Sequence, residues 1–213
     1  MTEFWDKKFK NEKTIWGFNP SESAIITKDF FLANQVKDIL IPGIGYGRNA
    51  KIFHENGIQV TGIEISKYAI DMSKSENELD INIYHGSVTD MPFDDKLYDG
   101  IFCYALIHLL NRVERKRFID CCFEQLKPNG YMVFTIVSKK ASMFGKGRFL
   151  SKNRYEIMKG LRVFFYDSES VSHEFKDYGL IDFKDLDEPI KHMDNEPPLK
   201  CIYVKCKKSL SLI

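Results

Sequence analysis

Three glycines on alternate positions, Gly43, Gly45 and Gly47, follow the short apolar run Ile39-Leu40-Ile41-Pro42 and precede Arg48-Asn49. The next apolar run, Val60-Thr61-Gly62-Ile63-Glu64-Ile65-Ser66, ends on an acid. Glycines let a backbone turn tightly and approach a ligand closely. A carboxylate at the end of the neighbouring strand can accept hydrogen bonds from both hydroxyls of a ribose. Glu64 is therefore expected to hold the sugar of a nucleoside-bearing ligand; the plainer alternative is an ordinary exposed acid at a strand end. In a dinucleotide fingerprint a third glycine lets helix and strand close around a pyrophosphate, and here Arg48 stands in that place. A bulky cation argues instead for a nucleoside that carries an amino acid. The turn and the helix N-terminus behind it then face a carboxylate.

The elements that must carry these residues follow from periodicity and punctuation. Asn19-Pro20-Ser21-Glu22 reads as a helix start, with Asn19 as cap and Glu22 closing a capping box. Strands are expected at 37–41, 58–63, 81–84, 98–104 and 131–137. Between them, helices are expected at 48–56, from the Ser66 cap to about 78, and from the Asn111/Glu114 capping box to about 126. Residues 127–130 form a turn into the fifth strand. Strand and helix alternating over about 100 residues imply a parallel, doubly wound sheet with helices on both faces. Further on, a strand at 162–166, a helix capped by Asp167 and stopped at Gly179, and a closing pair at 180–186 and 200–207 are expected, with a proline-bearing loop at 187–199. Residues 138–155 carry Lys139, Lys140, Lys146, Arg148, Lys152 and Arg154 and no acid, and read as a solvated loop.

Composition narrows the function. Lys plus Arg is 31 against 30 for Asp plus Glu in 213 residues, a balance that points neither to nucleic acid nor to a membrane surface. No window approaches the roughly 20 apolar residues of a membrane span, and the N-terminus lacks the apolar core of a signal peptide. Cys103, Cys121, Cys122, Cys201 and Cys206 are odd in number and form no C-x-x-C. Reduced, buried thiols in a cytoplasmic protein are expected, with no metal site.

Five motifs in order resemble the class I S-adenosylmethionine-dependent methyltransferases over roughly residues 37–137. They are the Gly43–Gly47 turn, the strand end at Glu64, His85-Gly86-Ser87-Val88-Thr89-Asp90-Met91-Pro92-Phe93, Tyr98-Asp99-Gly100-Ile101-Phe102-Cys103-Tyr104-Ala105-Leu106-Ile107-His108, and Leu126-Lys127-Pro128-Asn129-Gly130-Tyr131. The chain departs from that pattern at Ile41 and Ser87, where the family often has acids. Pro42-Gly43, Phe4-Trp5-Asp6 and Trp16-Gly17-Phe18-Asn19-Pro20 are loosely similar to the thiopurine, halide-thiol and tellurite-resistance subgroup.

The resemblance implies a Rossmann-like, three-layer α/β fold, mostly parallel, with a C-terminal antiparallel hairpin. One domain would span 1–213: an N-terminal aromatic lid and helix (1–36), a cofactor-binding core (37–137), and a substrate-side insertion with closing strands (138–213). The implied cofactor is S-adenosyl-L-methionine, contacted by Trp16, Gly43, Gly45, Gly47, Arg48, Glu64, Ile65, Ser87, Val88, Cys103 and Tyr104, with Trp5 a second lid aromatic. Tyr104 and His108 are the candidates for chemistry. Tyr104 either places its hydroxyl near the methyl group or packs as a buried ring. His108 either accepts a proton or packs or caps locally. Cys103 reads as structural, since no base pairs with it. The implied partner is a small-molecule acceptor, with no nucleic acid and no membrane, in a monomer or homodimer. With no compelling base in view, the acceptor is expected to be soft or already ionised, such as a thiol or chalcogen. Two other readings remain open at this point: a nicotinamide-dependent oxidoreductase, which Arg48 argues against, and a non-catalytic binder on the same fold.

Overall fold

The structure is a computed structural model and describes residues 2–12, 16–189 and 197–210. Helices α1 (Thr2–Glu12) and α2 (Glu22–Ala33) precede an alternation of β1 (Asp38–Pro42), α3 (Arg48–Glu55), β2 (Gln59–Glu64), α4 (Lys67–Ser75), β3 (Asn82–His85), β4 (Tyr98–Tyr104), α5 (Arg112–Glu124) and β5 (Leu126–Val137). There follow β6 (Arg148–Ser151), β7 (Arg154–Met158), β8 (Leu161–Phe164), α6 (Ser168–Phe175), β9 (Leu180–Glu188) and β10 (Leu199–Lys207).

Seven strands form one sheet in the order β3-β2-β1-β4-β5-β10-β9. β1 to β5 pair in parallel, and β10 runs antiparallel to both β5 and β9. Successive residues of a strand point to opposite faces. In β4, Ile101 and Cys103 join an apolar cluster with Phe118, Phe134 and Phe175 on the α5 and α6 side. Phe102 joins Phe31, Ala50 and Phe53 on the α2 and α3 side. The expected three-layer, doubly wound architecture with its closing hairpin is therefore present. Among the described residues no helix is long and apolar enough to cross a membrane.

Several local expectations need correction. The cap of α2 is Ser21, whose Oγ accepts the Ala24 N–H at 3.2 Å, and not Asn19. The first-turn N–H groups of Glu22 and Ser23 are satisfied by the Glu188 carboxylate, each at 2.9 Å, so a residue from β9 does what Asn19 was expected to do. β5 already begins at Leu126, which pairs with Tyr98. Residues 127–130 are an irregularity within it, with Asn129 in the left-handed region at φ 64°.

Two elements are additional. Phe4, Trp5 and Phe9 sit on a helix, α1. The basic stretch at 138–155 leads into a three-stranded antiparallel sheet, β6-β7-β8, and is not simply a solvated loop. Its apolar side packs Tyr155, Ile157, Leu161 and Val163 against Leu109, Val137 and Phe165. Its cations find acids outside the stretch: Lys139 pairs with Asp167, Lys140 with Asp185 at 2.6 Å and Arg148 with Glu156 at 2.5 Å. The centre of the loop expected at 187–199, residues 190–196, lies outside the described residues.

Candidate functional site

The carboxyl ends of β1, β2, β4 and β5 open on a cavity of about 430 Å³. Trp16, Gly43, Gly45, Arg48, Glu64, Ile65, Ser87, Val88, Tyr104 and His108 all line it, and so does Trp5. Gly47 and Cys103 do not.

Gly47 stands behind the turn as the N-cap of α3, in the left-handed region at φ 82°, where an added Cβ would meet Leu79 Cδ1 at 2.4 Å. It therefore shapes the turn from below. Cys103 is fully buried in the core beneath β4, and burial pushes its thiol up to about 12. A thiol so placed is an inert packing group.

Glu64 is only 5% exposed. Its Oε2 accepts the Gly45 N–H at 2.8 Å and its Oε1 accepts the Ser66 N–H at 2.9 Å. Burial raises the carboxyl above the ordinary carboxylate range, and those backbone N–H groups act in the opposite direction. Each oxygen keeps a second lone pair for a hydroxyl donor. The glycine turn and the acid are thus one hydrogen-bonded unit. Ser66 continues it: it caps α4 and donates from Oγ to Asp6 of α1 at 2.5 Å.

The N-terminal segment lies over this unit. Arg48 donates from Nη1 to the carbonyls of Trp16 at 3.1 Å and Asn19 at 3.2 Å, with its guanidinium 5.3 Å from the centre of the Tyr104 ring. Tyr46 donates its hydroxyl to the Gly17 carbonyl at 2.7 Å and accepts the Trp16 N–H at 3.2 Å. Phe9 packs on Trp5, Trp16 and Tyr46 at centroid distances of 5.9, 6.1 and 6.0 Å. At the next strand end, Ser87 Oγ accepts the Thr89 N–H at 3.3 Å and caps the short 3-10 helix Val88–Asp90.

β4 delivers Tyr104, and burial pushes its phenol well up, so the hydroxyl stays protonated. Ala105 follows in the left-handed region at φ 52° and turns the chain into the 3-10 helix Ile107–Leu109. His108 on that helix is 5% exposed, and its Nδ1 accepts the Val137 N–H at 3.4 Å. Burial depresses the imidazole to about 3, so the ring is neutral.

Beyond this loop the cavity wall turns apolar, with Leu109, Leu110, Val137, Met143, Ile157, Leu161, Val163 and Leu199. The sequence reading missed this wall, along with Phe9, Tyr46, Leu106 and Glu188, which also line the cavity. Phe9 was discoverable as the i+4 partner of Trp5 on one helix face, and Tyr46 lies inside the glycine turn itself. Nothing local announces Glu188.

Residues 40–134, from within β1 to within β5, match the family model described as a methyltransferase domain. This stretch is thus similar to methyltransferase domains. The chain is 26% identical over 185 residues to tRNA N(3)-cytidine methyltransferase of Danio rerio, a match that covers 79% of this chain and 52% of that protein. The chain thus spans about half the length of that relative.

Among solved structures, 1,6-didemethyltoxoflavin-N1-methyltransferase of Burkholderia thailandensis, with bound 1,6-didemethyltoxoflavin and S-adenosylhomocysteine, superposes with a TM-score of 0.76. That match has 13% identity and covers 98% of this chain and 87% of the other. TehB from Haemophilus influenzae superposes with a TM-score of 0.64 at 17% identity, over 85% of this chain and 60% of the other. The fold is that of the class I methyltransferases, including a member of the subgroup that the N-terminal motif resembles. The cofactor of this family is S-adenosylmethionine. The domain's own residues fit that molecule. A buried carboxylate with free lone pairs faces the cavity beside a glycine turn, and Arg48 adds a cation at the mouth of α3.

Proposed function

We propose that this chain transfers the methyl group of S-adenosylmethionine to a small-molecule acceptor. The observation that carries the reading is the continuity of one cavity. It runs from the Gly43–Glu64 unit, past Tyr104 and His108, to an apolar wall that no part of the cofactor needs. S-adenosylmethionine supplies a methyl group already activated on a sulfonium. The chain's residues then have to hold, align and exclude water. Glu64 takes the ribose hydroxyls. Arg48, at the start of α3, faces the amino-acid carboxylate. Ile65, Ser87 and Val88 flank the base, with Ser87 offering a hydroxyl where relatives often have an acid. Trp5 and Trp16 cover the site from the N-terminal side.

Support for a small acceptor over a nucleic acid comes from charge. The net charge is +1, and the cations at 139, 140 and 148 are paired with acids, whereas phosphate binding needs cations free to neutralise phosphates. All five cysteines are buried and free, in keeping with a reducing, cytoplasmic setting. Residues 1–213 are taken to act as a single unit, as a monomer or homodimer.

The test is release of S-adenosylhomocysteine from S-adenosylmethionine across thiols, selenite or tellurite, halides and small amines. Turnover with one of these supports the proposal. Binding of the cofactor without turnover on any of them supports the non-catalytic alternative.

A further inference from the structure

The start of α2 is fixed by a residue from the far end of the chain. Glu188 closes β9 and is 2% exposed. Its Oε2 accepts the Glu22 N–H and its Oε1 the Ser23 N–H, each at 2.9 Å. Those two donors and the positive end of the helix dipole stabilise the buried anion. Ser23 is fully buried, so its N–H depends on this partner.

Immediately before α2, residues 16–21 are pinned to the glycine turn and the start of α3. Asn49 Oδ1 accepts the Ser21 N–H at 2.9 Å, and the Tyr46 hydroxyl bonds both Gly17 and Trp16. Arg48 donates from Nη1 to the carbonyls of Trp16 and Asn19. These carbonyls aim the guanidinium. They and the Tyr104 ring are neutral, so the charge of Arg48 stays available to the cavity that it lines. Trp16 has a second anchor, since its ring packs on Phe9 and Trp5 at centroid distances of 6.1 and 6.2 Å. The Asn19 carbonyl is placed by the chain that leads into α2.

Resting on the methyltransferase reading, we infer that Glu188 is a positioning residue for the amino-acid end of the cofactor. It holds the first turn of α2, which sets the Asn19 carbonyl, which orients Arg48 toward the cofactor's carboxylate. Both oxygens of Glu188 are engaged by α2, so it acts through Arg48 and not by touching the ligand. Loss of Glu188 therefore weakens recognition of the amino-acid tail and spares recognition of the nucleoside, which belongs to Glu64 and the aromatic cover.

The experiment titrates two probes by calorimetry: S-adenosylhomocysteine, and 5′-methylthioadenosine, which has the nucleoside and the sulfur without the amino-acid tail. In Glu188→Gln one oxygen still accepts an N–H, while the amide nitrogen faces the other and the charge is gone. S-adenosylhomocysteine should bind about tenfold more weakly and 5′-methylthioadenosine within about twofold of wild type. Arg48→Met should weaken S-adenosylhomocysteine by about tenfold or more. Adding Glu188→Gln to it should cost less than about threefold further, because the two residues act in series. Glu22→Pro breaks the same contact from the other side and leaves the buried acid in place. Proline suits the first helical position, and Ser21 before it is already extended at φ −65° and ψ 158°. That variant should lose about threefold for S-adenosylhomocysteine alone, and it decides the matter if Glu188→Gln shows no cooperative thermal transition. Unchanged S-adenosylhomocysteine affinity, equal loss for both probes, or full additivity with Arg48→Met overturns the inference and leaves cofactor binding standing. Failure of the wild-type chain to bind S-adenosylhomocysteine overturns the methyltransferase reading beneath it.

Discussion

Glu64 is asked to be charged in a place that disfavours charge. Because its folded value is raised, its contribution to the stability of the ligand-free fold is full below the ordinary carboxylate value and is lost as pH rises through the raised value. Ribose binding runs the other way, since the ionised form is the better acceptor of two hydroxyl donors. Affinity for S-adenosylhomocysteine should therefore fall on acidification at a pH above the usual carboxylate range. Calorimetric titrations at stepped pH would read this directly, and a flat profile down to that range would contradict it.

Gly47 acts at the same scale from the other side of the turn. Its left-handed φ and its 2.4 Å approach to buried Leu79 leave no room for a side chain. Gly47→Ala should cost about 1–3 kcal/mol of stability by denaturant titration. The glycines and Glu64 were legible because their chemistry is local to a strand end. The separate tasks of Gly47 and Arg48 were not, since one supports the turn from beneath and one ties down residues about 30 positions away.

The elements of the acceptor side are locked together by a buried cation. Arg115 of α5, with its side chain 4% exposed, pairs with Glu174 of α6 at 2.7 Å, lies 3.9 Å from the centre of the Phe164 ring of β8, and donates to the Leu110 carbonyl at 3.3 Å. Arg154 of β7 donates to that same carbonyl. The loop bearing His108 is thus held by α5 and the small sheet together. Removing one partner of a buried pair leaves an uncompensated charge. Arg115→Met should cost about 3–5 kcal/mol in denaturant unfolding, and adding Glu174→Leu should recover a large part of it. An unchanged midpoint in the single variant would show the pair to be dispensable.

At this scale β1 to β5 and the Asn111 and Asp167 caps could be read from the chain, because each is announced by neighbouring residues. The small sheet could not. Each of its strands carries one Arg, and the lysines just before it, Lys139 and Lys140, pair with Asp167 and Asp185, acids far along the chain. α1 was hidden for a related reason: Trp5 and Phe9 form a short apolar stripe among charges, and what they pack on, Trp16 and Tyr46, comes from two other segments.

For the whole molecule, the sheet order explains why one cavity can serve two ligands. β4 lies between β1 and β2, which carry the glycine turn and Glu64, and β5 and β10, which carry Val137 and Leu199 of the apolar wall. On the proposed function the loop at the end of β4 would stand between cofactor and acceptor, with Tyr104 and His108 lining the cavity there. The central claim is that the turn and Glu64 together hold the nucleoside of S-adenosylmethionine. Its most direct test is calorimetric titration of S-adenosylhomocysteine into the wild-type chain and into Glu64→Ala. The account predicts binding of one equivalent by wild type and about a hundredfold weaker binding by the variant, the loss of two charge-assisted hydrogen bonds at about 1.5 kcal/mol each. Equal affinity in the two proteins, or no heat of binding in wild type, would contradict it.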